Sequence, residues 1–263
     1  MISAGGPRLR DLPPRLQRLR LRIRHRLAKP GSGPVHVFHH IPKTGGSTIN
    51  RVLPQWFYRV RDYRPRNDPE DWTSGHAAKP PLDLSTLRAG DCLTGHWAIP
   101  GYYLEERYPE ILRDERYRLF TFVREPLQVK LSLLFWERRQ GRDFGSGGLD
   151  DATLRAALLD RPNYMADRFP CGSVEEVDPI LDRYFFIGIT DRSQDSFDRL
   201  ADLLGKPRLR LPRVNQSRSG DEHQRLSPGL VREFRARNAI DYAIYDAAVE
   251  RLERGAVFPW ARS

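Results

Sequence analysis

The stretch 37-VFHHIPKTGGSTINRVL-53 decides how this chain is read. With Val35 and His36 before it, its first residues complete the run VHVFHH, which predicts a strand over 35–40. Pro42, Lys43, Gly45 and Gly46 interrupt that run. A helix-like pattern follows from about Gly46, with Pro54 as its expected end. A loop that leaves a strand and enters a helix gathers backbone N–H groups and the positive helix end at one point. Gly45 and Gly46 let the backbone approach an anion closely. Thr44, Ser47 and Thr48 offer hydroxyl donors, and Lys43 adds a mobile positive charge. An ATP-hydrolysing loop places its lysine after the glycines, directly at the helix start. Here the lysine comes first, which disfavours that chemistry.

Outward from the loop, strand and helix signals alternate. DCLTGH (91–96), RLFTFV (118–123) and YFFIGI (184–189) read as further strands. Leu127, Leu131, Leu134 and Phe135 recur at helical spacing, as do Phe197, Leu200, Leu203 and Leu204. The segment from Ser227 to Arg254 reads as two helices, with Ser227 as N-cap and Pro228 in the first turn. Apolar strands alternating with helices predict an α/β fold of the P-loop-like, three-layer kind: a central parallel sheet covered by helices on both faces. Residues 61–90 and 140–180 read as loop-rich interruptions. In such a sheet, ligands bind outside the C-terminal ends of the strands.

An apolar content of 39% with 10% aromatic residues fits a folded chain and argues against wholesale disorder. No run approaches the ~18–20 apolar residues of a membrane span, and the N-terminus lacks the apolar centre of a signal peptide. Cys92 and Cys171 are too few for a disulfide scaffold. Together these features point to a cytoplasmic location. The formal charge of +10 would attract nucleic acid, an anionic membrane or an anionic small ligand, and does not choose among them.

Much of that charge lies in residues 1–34, which read as a basic N-terminal extension ahead of a main domain at 35–263. Leu16, Leu19, Ile23 and Leu27 recur at helical spacing between arginines, so an amphipathic helix is expected. Docking on its own domain is the first reading, and peripheral membrane contact through residues 15–27 the second.

Three segments in order carry a family resemblance. HIPKTGGST resembles the 5′-phosphosulfate loop of sulfotransferases that use 3′-phosphoadenosine 5′-phosphosulfate (PAPS), especially the carbohydrate type related to heparan sulfate 2-O-sulfotransferase. FTFVREPLQVKLSLLFW is similar to that family's 3′-phosphate segment, with Arg124 and Ser132 at the matching positions. The segment from Arg213 through the Asp241-Tyr242-Ala243-Ile244-Tyr245 run resembles the family's C-terminal part. The resemblance implies a PAPS-dependent enzyme acting without a metal. Its nucleotide site would comprise Lys43, Thr44, Gly45, Gly46, Ser47, Thr48, Arg124 and Ser132. Arg213, Ser217 and Arg218 would form a flap. The acceptor would be a small molecule or glycan, with no nucleic-acid partner, and NYMADRF (163–169), which resembles a family segment near the acceptor cleft, implies contacts from Asn163 and Arg168.

Sulfuryl transfer to a hydroxyl requires stabilisation of the leaving oxygen, for which Lys43 is placed, and a general base. His96, ending the DCLTGH strand, resembles the family's Gly-His base and is the choice here, with His76 next. His40 is expected to orient the loop by hydrogen bonding and His39 to be packed. Trp97, Tyr102, Tyr103 and Trp136 are candidates to stack on an acceptor, although core packing explains most of them. Two alternatives stay open: a P-loop kinase-like phosphotransferase, and a basic nucleic-acid- or membrane-binding protein.

Overall fold

The computed structural model describes residues 14–62, 80–97, 102–139, 151–212 and 226–255. Helix α1 (Pro14–Leu27) leads to strand β1 (Val35–His39), then α2 (Gly46–Val52), which passes into a 3-10 turn at Pro54. Strand β2 (Tyr58–Asp62), β3 (Asp91–Gly95), the short α3 (Leu104–Arg107) and β4 (Tyr117–Val123) follow. Helix α4 (Pro126–Arg139) leaves β4, and α5 (Asp151–Leu159) and α6 (Val177–Leu181) precede β5 (Phe186–Ile189). Helices α7 (Ser193–Leu203), α8 (Pro228–Arg237) and α9 (Ala239–Glu253) complete the described chain.

The strands form one sheet in the order β2-β3-β1-β4-β5, and every neighbouring pair is parallel. The sheet is flanked by helices, as expected of this α/β class. β1 and β3 are buried at every position, which is why neither shows the apolar–polar alternation of a half-exposed strand. Strand β2 escapes that reading. It sits at the edge, half-buried, and its sequence YRVRD carries two arginines. Helices α5 and α6 also occupy ground expected to be loop.

From β1 the chain runs toward the β2 edge, and from β4 toward the β5 edge. The connections leave these two adjacent strands in opposite directions, so a crevice opens at their C-terminal ends. Behind it the core is aromatic. Phe38 stacks on Phe120 at 5.1 Å, and Trp56 lies parallel to Phe197 at 4.4 Å. Such pairs contribute about 0.5–1.5 kcal/mol beyond their buried area. A second cluster, Leu127, Leu131, Leu158, Leu230, Phe234 and Tyr242, fixes α4 against α5, α8 and α9. Ser227 caps α8 as expected, its hydroxyl accepting from Leu230 N at 3.2 Å.

Helix α1 does dock on the domain, but through a different face from the one its leucines suggest. His25 Nδ1 lies 2.7 Å from Asp91 Oδ1, its ring stacks on Tyr58 at 3.7 Å, and Arg88 donates to its carbonyl. Leu16, Leu19, Ile23 and Leu27 stay exposed. No helix among the described residues is long and apolar enough to cross a membrane.

Candidate active site

The loop after β1 is shaped by two left-handed residues, Lys43 (φ 71) and Gly45 (φ 78). Glycine adopts this conformation freely, whereas a lysine there costs about 1–2 kcal/mol. The fold holds Lys43 in it nonetheless, which marks the position as one where geometry outweighs local stability. Gly46 has a more severe constraint. A Cβ at Gly46 would lie 1.9 Å from the His40 ring, so the ring occupies the space a side chain would fill.

Thr44 is buried and its hydroxyl donates to Ile41 O at 2.9 Å. It closes the loop internally. Thr190, just beyond β5, donates to the Thr44 carbonyl at 2.6 Å and packs so tightly that a Cβ on Gly45 would meet it at 2.9 Å. Ser47 is exposed at the start of α2, and Thr48 N closes the first turn on Gly45 O at 3.0 Å.

Lys43 reaches toward α4, its amine 5.5 Å from the centre of the Trp136 ring. Burial lowers its pKa to about 8, Arg139 and Arg124 add to the effect, and Glu137 opposes it. Two arginines therefore act on the Lys43 ammonium, a repulsion that a bound anion would relieve. Arg124 follows β4 directly, where burial depresses its pKa against the pull of Asp191 and Glu125. Ser132 lies two turns along α4 and is buried. Arg213, Ser217 and Arg218 lie outside the described residues, as do His76 and His223.

The acids beside Arg124 are tied to the C-terminal helix. Glu125 caps α4 by accepting from Gln128 N at 2.8 Å and from the Tyr242 hydroxyl at 2.6 Å. Asp191 accepts from the Tyr245 hydroxyl at 3.2 Å and from Glu125 N at 3.4 Å.

The register of β1 and β3 pairs His39 with Gly95, which brings His40 and His96 side by side just past the strand ends. His96 Nε2 lies 2.9 Å from His40 Nδ1, and the Asn50 amide nitrogen lies 3.1 Å from the same atom. An imidazole nitrogen carries one N–H or one lone pair, so the two contacts share a single site on His40 and their direction follows its tautomer. With Nε2 turned to His40, Nδ1 is the other ring nitrogen of His96. Burial holds His40 well below its ordinary pKa, and the neighbouring His96 and His39 lower it further. His39 packs into the core, hydrogen-bonded to Tyr184 at 2.8 Å.

Next to His96, Trp97 is fully buried and donates to Asp62 at 3.0 Å. Asp62 ends β2 and also accepts from Tyr102, Arg107 and Tyr108. Nothing in the sequence distinguished this carboxylate.

Asn163, expected as a sugar contact, is bonded within the fold. Its side-chain oxygen accepts from Ile240 N and Asp241 N at 3.2 and 3.3 Å, and its own N–H donates to Asn238. It is the clasp that starts α9. Arg168 is similarly engaged, with its guanidinium 3.5 Å over the Tyr164 ring and donating to Tyr164 O.

No protein-family model and no curated protein matches the chain. Among solved structures it is similar to a crystal structure of a sulfotransferase from Alicyclobacillus acidocaldarius. The match covers 83% of this chain and 96% of that one, with a TM-score of 0.50 and 15% identity. At that identity the likeness is one of fold: the two proteins share the parallel sheet and its flanking helices.

Proposed function

We propose that this protein is a sulfotransferase that moves a sulfuryl group from PAPS to an acceptor hydroxyl of a carbohydrate. The observation that carries the reading is the convergence of Lys43 and Arg124 on the crevice between β1 and β4, with the His96–His40 pair at the next strand end. The donor would lie across the crevice, its 5′-phosphosulfate on the Lys43 loop and its 3′-phosphate toward Arg124 and Ser132. His96 Nδ1 takes the proton of the acceptor hydroxyl as the oxygen–sulfur bond forms. The bond from sulfur to the 5′-phosphate oxygen breaks, and Lys43 stabilises the charge growing there. The products are the sulfate ester and adenosine 3′,5′-bisphosphate.

Calorimetric titration with adenosine 3′,5′-bisphosphate against magnesium-ATP tests this. Preferential binding of the bisphosphate is expected, and Arg124→Ala should weaken it by about 1.5–3 kcal/mol. Tight binding of magnesium-ATP without the bisphosphate would instead make the site a phosphotransferase.

A further inference from the structure

Helix α1 presents two faces that serve different surroundings. At about 100° per residue, Leu21, His25 and Ala28 share one side, and these are the half-buried residues that meet the domain. Leu16, Leu19, Ile23 and Leu27 fall within about 80° of arc on roughly the opposite side. They are 48%, 52%, 49% and 81% exposed, so the helix is anchored with its leucine stripe turned outward. Arg20 and Arg24 border the stripe on one side and Arg15, Arg22 and Arg26 on the other, all exposed. The helix carries no acidic residue.

We infer that α1 is a membrane-surface helix that seats the domain on an anionic lipid bilayer. A stripe of four large apolar side chains is too narrow to be the seam of a core and of the right width to enter the headgroup boundary. Arginines on both borders extend their guanidinium groups to lipid phosphates while their stems cover the apolar edge. The His25–Asp91 contact and the Arg88 bonds to the carbonyls of His25 and Arg26 hold the helix to the domain, so the whole molecule is seated with it. This inference is independent of the sulfotransferase reading.

The test is co-sedimentation of the full chain with vesicles of phosphatidylcholine alone or mixed with phosphatidylserine. Binding to the mixed vesicles and not to the neutral ones is expected. Removing one arginine, as in Arg22→Gln or Arg24→Gln, should weaken it about fivefold. Leu19→Gln/Ile23→Gln keeps the charge and the helix propensity and should weaken binding about tenfold or more. Both residues are exposed, so the thermal midpoint of that variant should match wild type. Failure of the wild type to bind mixed vesicles would overturn the inference. So would undiminished binding of Leu19→Gln/Ile23→Gln, which would leave only diffuse charge attraction. A dimer in lipid-free solution that this variant converts to monomer would assign the stripe to a second copy of the chain instead.

Discussion

Binding of a polyanion at the Lys43 loop should draw a proton from solution. Lys43 titrates near pH 8 in the folded protein because burial, Arg139 and Arg124 each disfavour its ammonium form. In the unfolded chain the same amine keeps its proton to its ordinary value of 10.5. The unfolded state therefore binds more protons between about pH 8 and 10.5, and this lysine's contribution to stability rises with pH across that window. A bound phosphosulfate or phosphate reverses the electrostatics and returns the amine toward its ordinary pKa. Binding should then take up about one-tenth of a proton near pH 7, about half near pH 8 and about nine-tenths near pH 9. Affinity should fall about fivefold between the last two. The ligand's own phosphates titrate at about pH 6 and leave the window clear. The assay is calorimetry with adenosine 3′,5′-bisphosphate in buffers of different ionisation enthalpy, where proton uptake appears as buffer-dependent heat. In Lys43→Met the remaining binding should show none of that uptake. Heat independent of buffer at pH 8–9, or the same uptake in Lys43→Met, would refute the assignment of Lys43 to the anion.

Two further substitutions probe the ends of β1 and β2. Gly46→Ala places a methyl 1.9 Å from His40 Cδ2 and 2.3 Å from its Nε2, so the buried ring must move and release His96. A loss of about 1–3 kcal/mol in chemical denaturation is expected, with a fall in turnover, and an unchanged midpoint would mean the ring has room to yield. Asp62→Asn removes the charge that holds the buried Arg107 guanidinium at 2.6 Å. It should cost about 3–5 kcal/mol, measured by urea unfolding at neutral pH, and a loss below about 1 kcal/mol would refute the view of Asp62 as the hub of that corner.

The strands buried on both faces were legible in the sequence because burial removes regular alternation and leaves apolar-rich stretches such as VHVFH and RLFTFV. Strand β2 was not, since an edge strand bearing Arg59 and Arg61 presents the composition of a loop. The loop between β1 and α2 was legible from its glycines and its place between strand and helix. The inward turn of the Thr44 hydroxyl was hidden, because its partner is a backbone carbonyl that no residue pattern announces. The same holds for Asn163, whose role depends on the N-terminus of a helix more than seventy residues away. Asn50 carried a faint signal: it lies four residues after Gly46, one helical turn along the same face, and so reaches His40.

The C-terminal pattern Asp241-Tyr242-Ala243-Ile244-Tyr245, known from sequence only as a resemblance, acquires a physical reason from what surrounds Arg124. On the proposed reading Arg124 receives an anion and cannot be fully neutralised by its neighbours, yet Glu125 and Asp191 both lie close enough to raise its pKa. Tyr242 donates to Glu125 and Tyr245 to Asp191. Burial and these carboxylates push both phenols up, Tyr245 to about 12, so each remains a donor at any physiological pH. The acids are thus turned toward neutral donors and toward the cap of α4. For the two hydroxyls to arrive there, α9 must start at a fixed place. The Asn163–Asn238 clasp sets that start, together with Asp241, which accepts from Met165 N and Ala166 N at 3.0 and 2.7 Å. Burial pushes the Asp241 carboxyl up to about 6 in spite of those two donors. A buried acid maintained against that penalty is what positions the tyrosines, and through them the charge balance at Arg124.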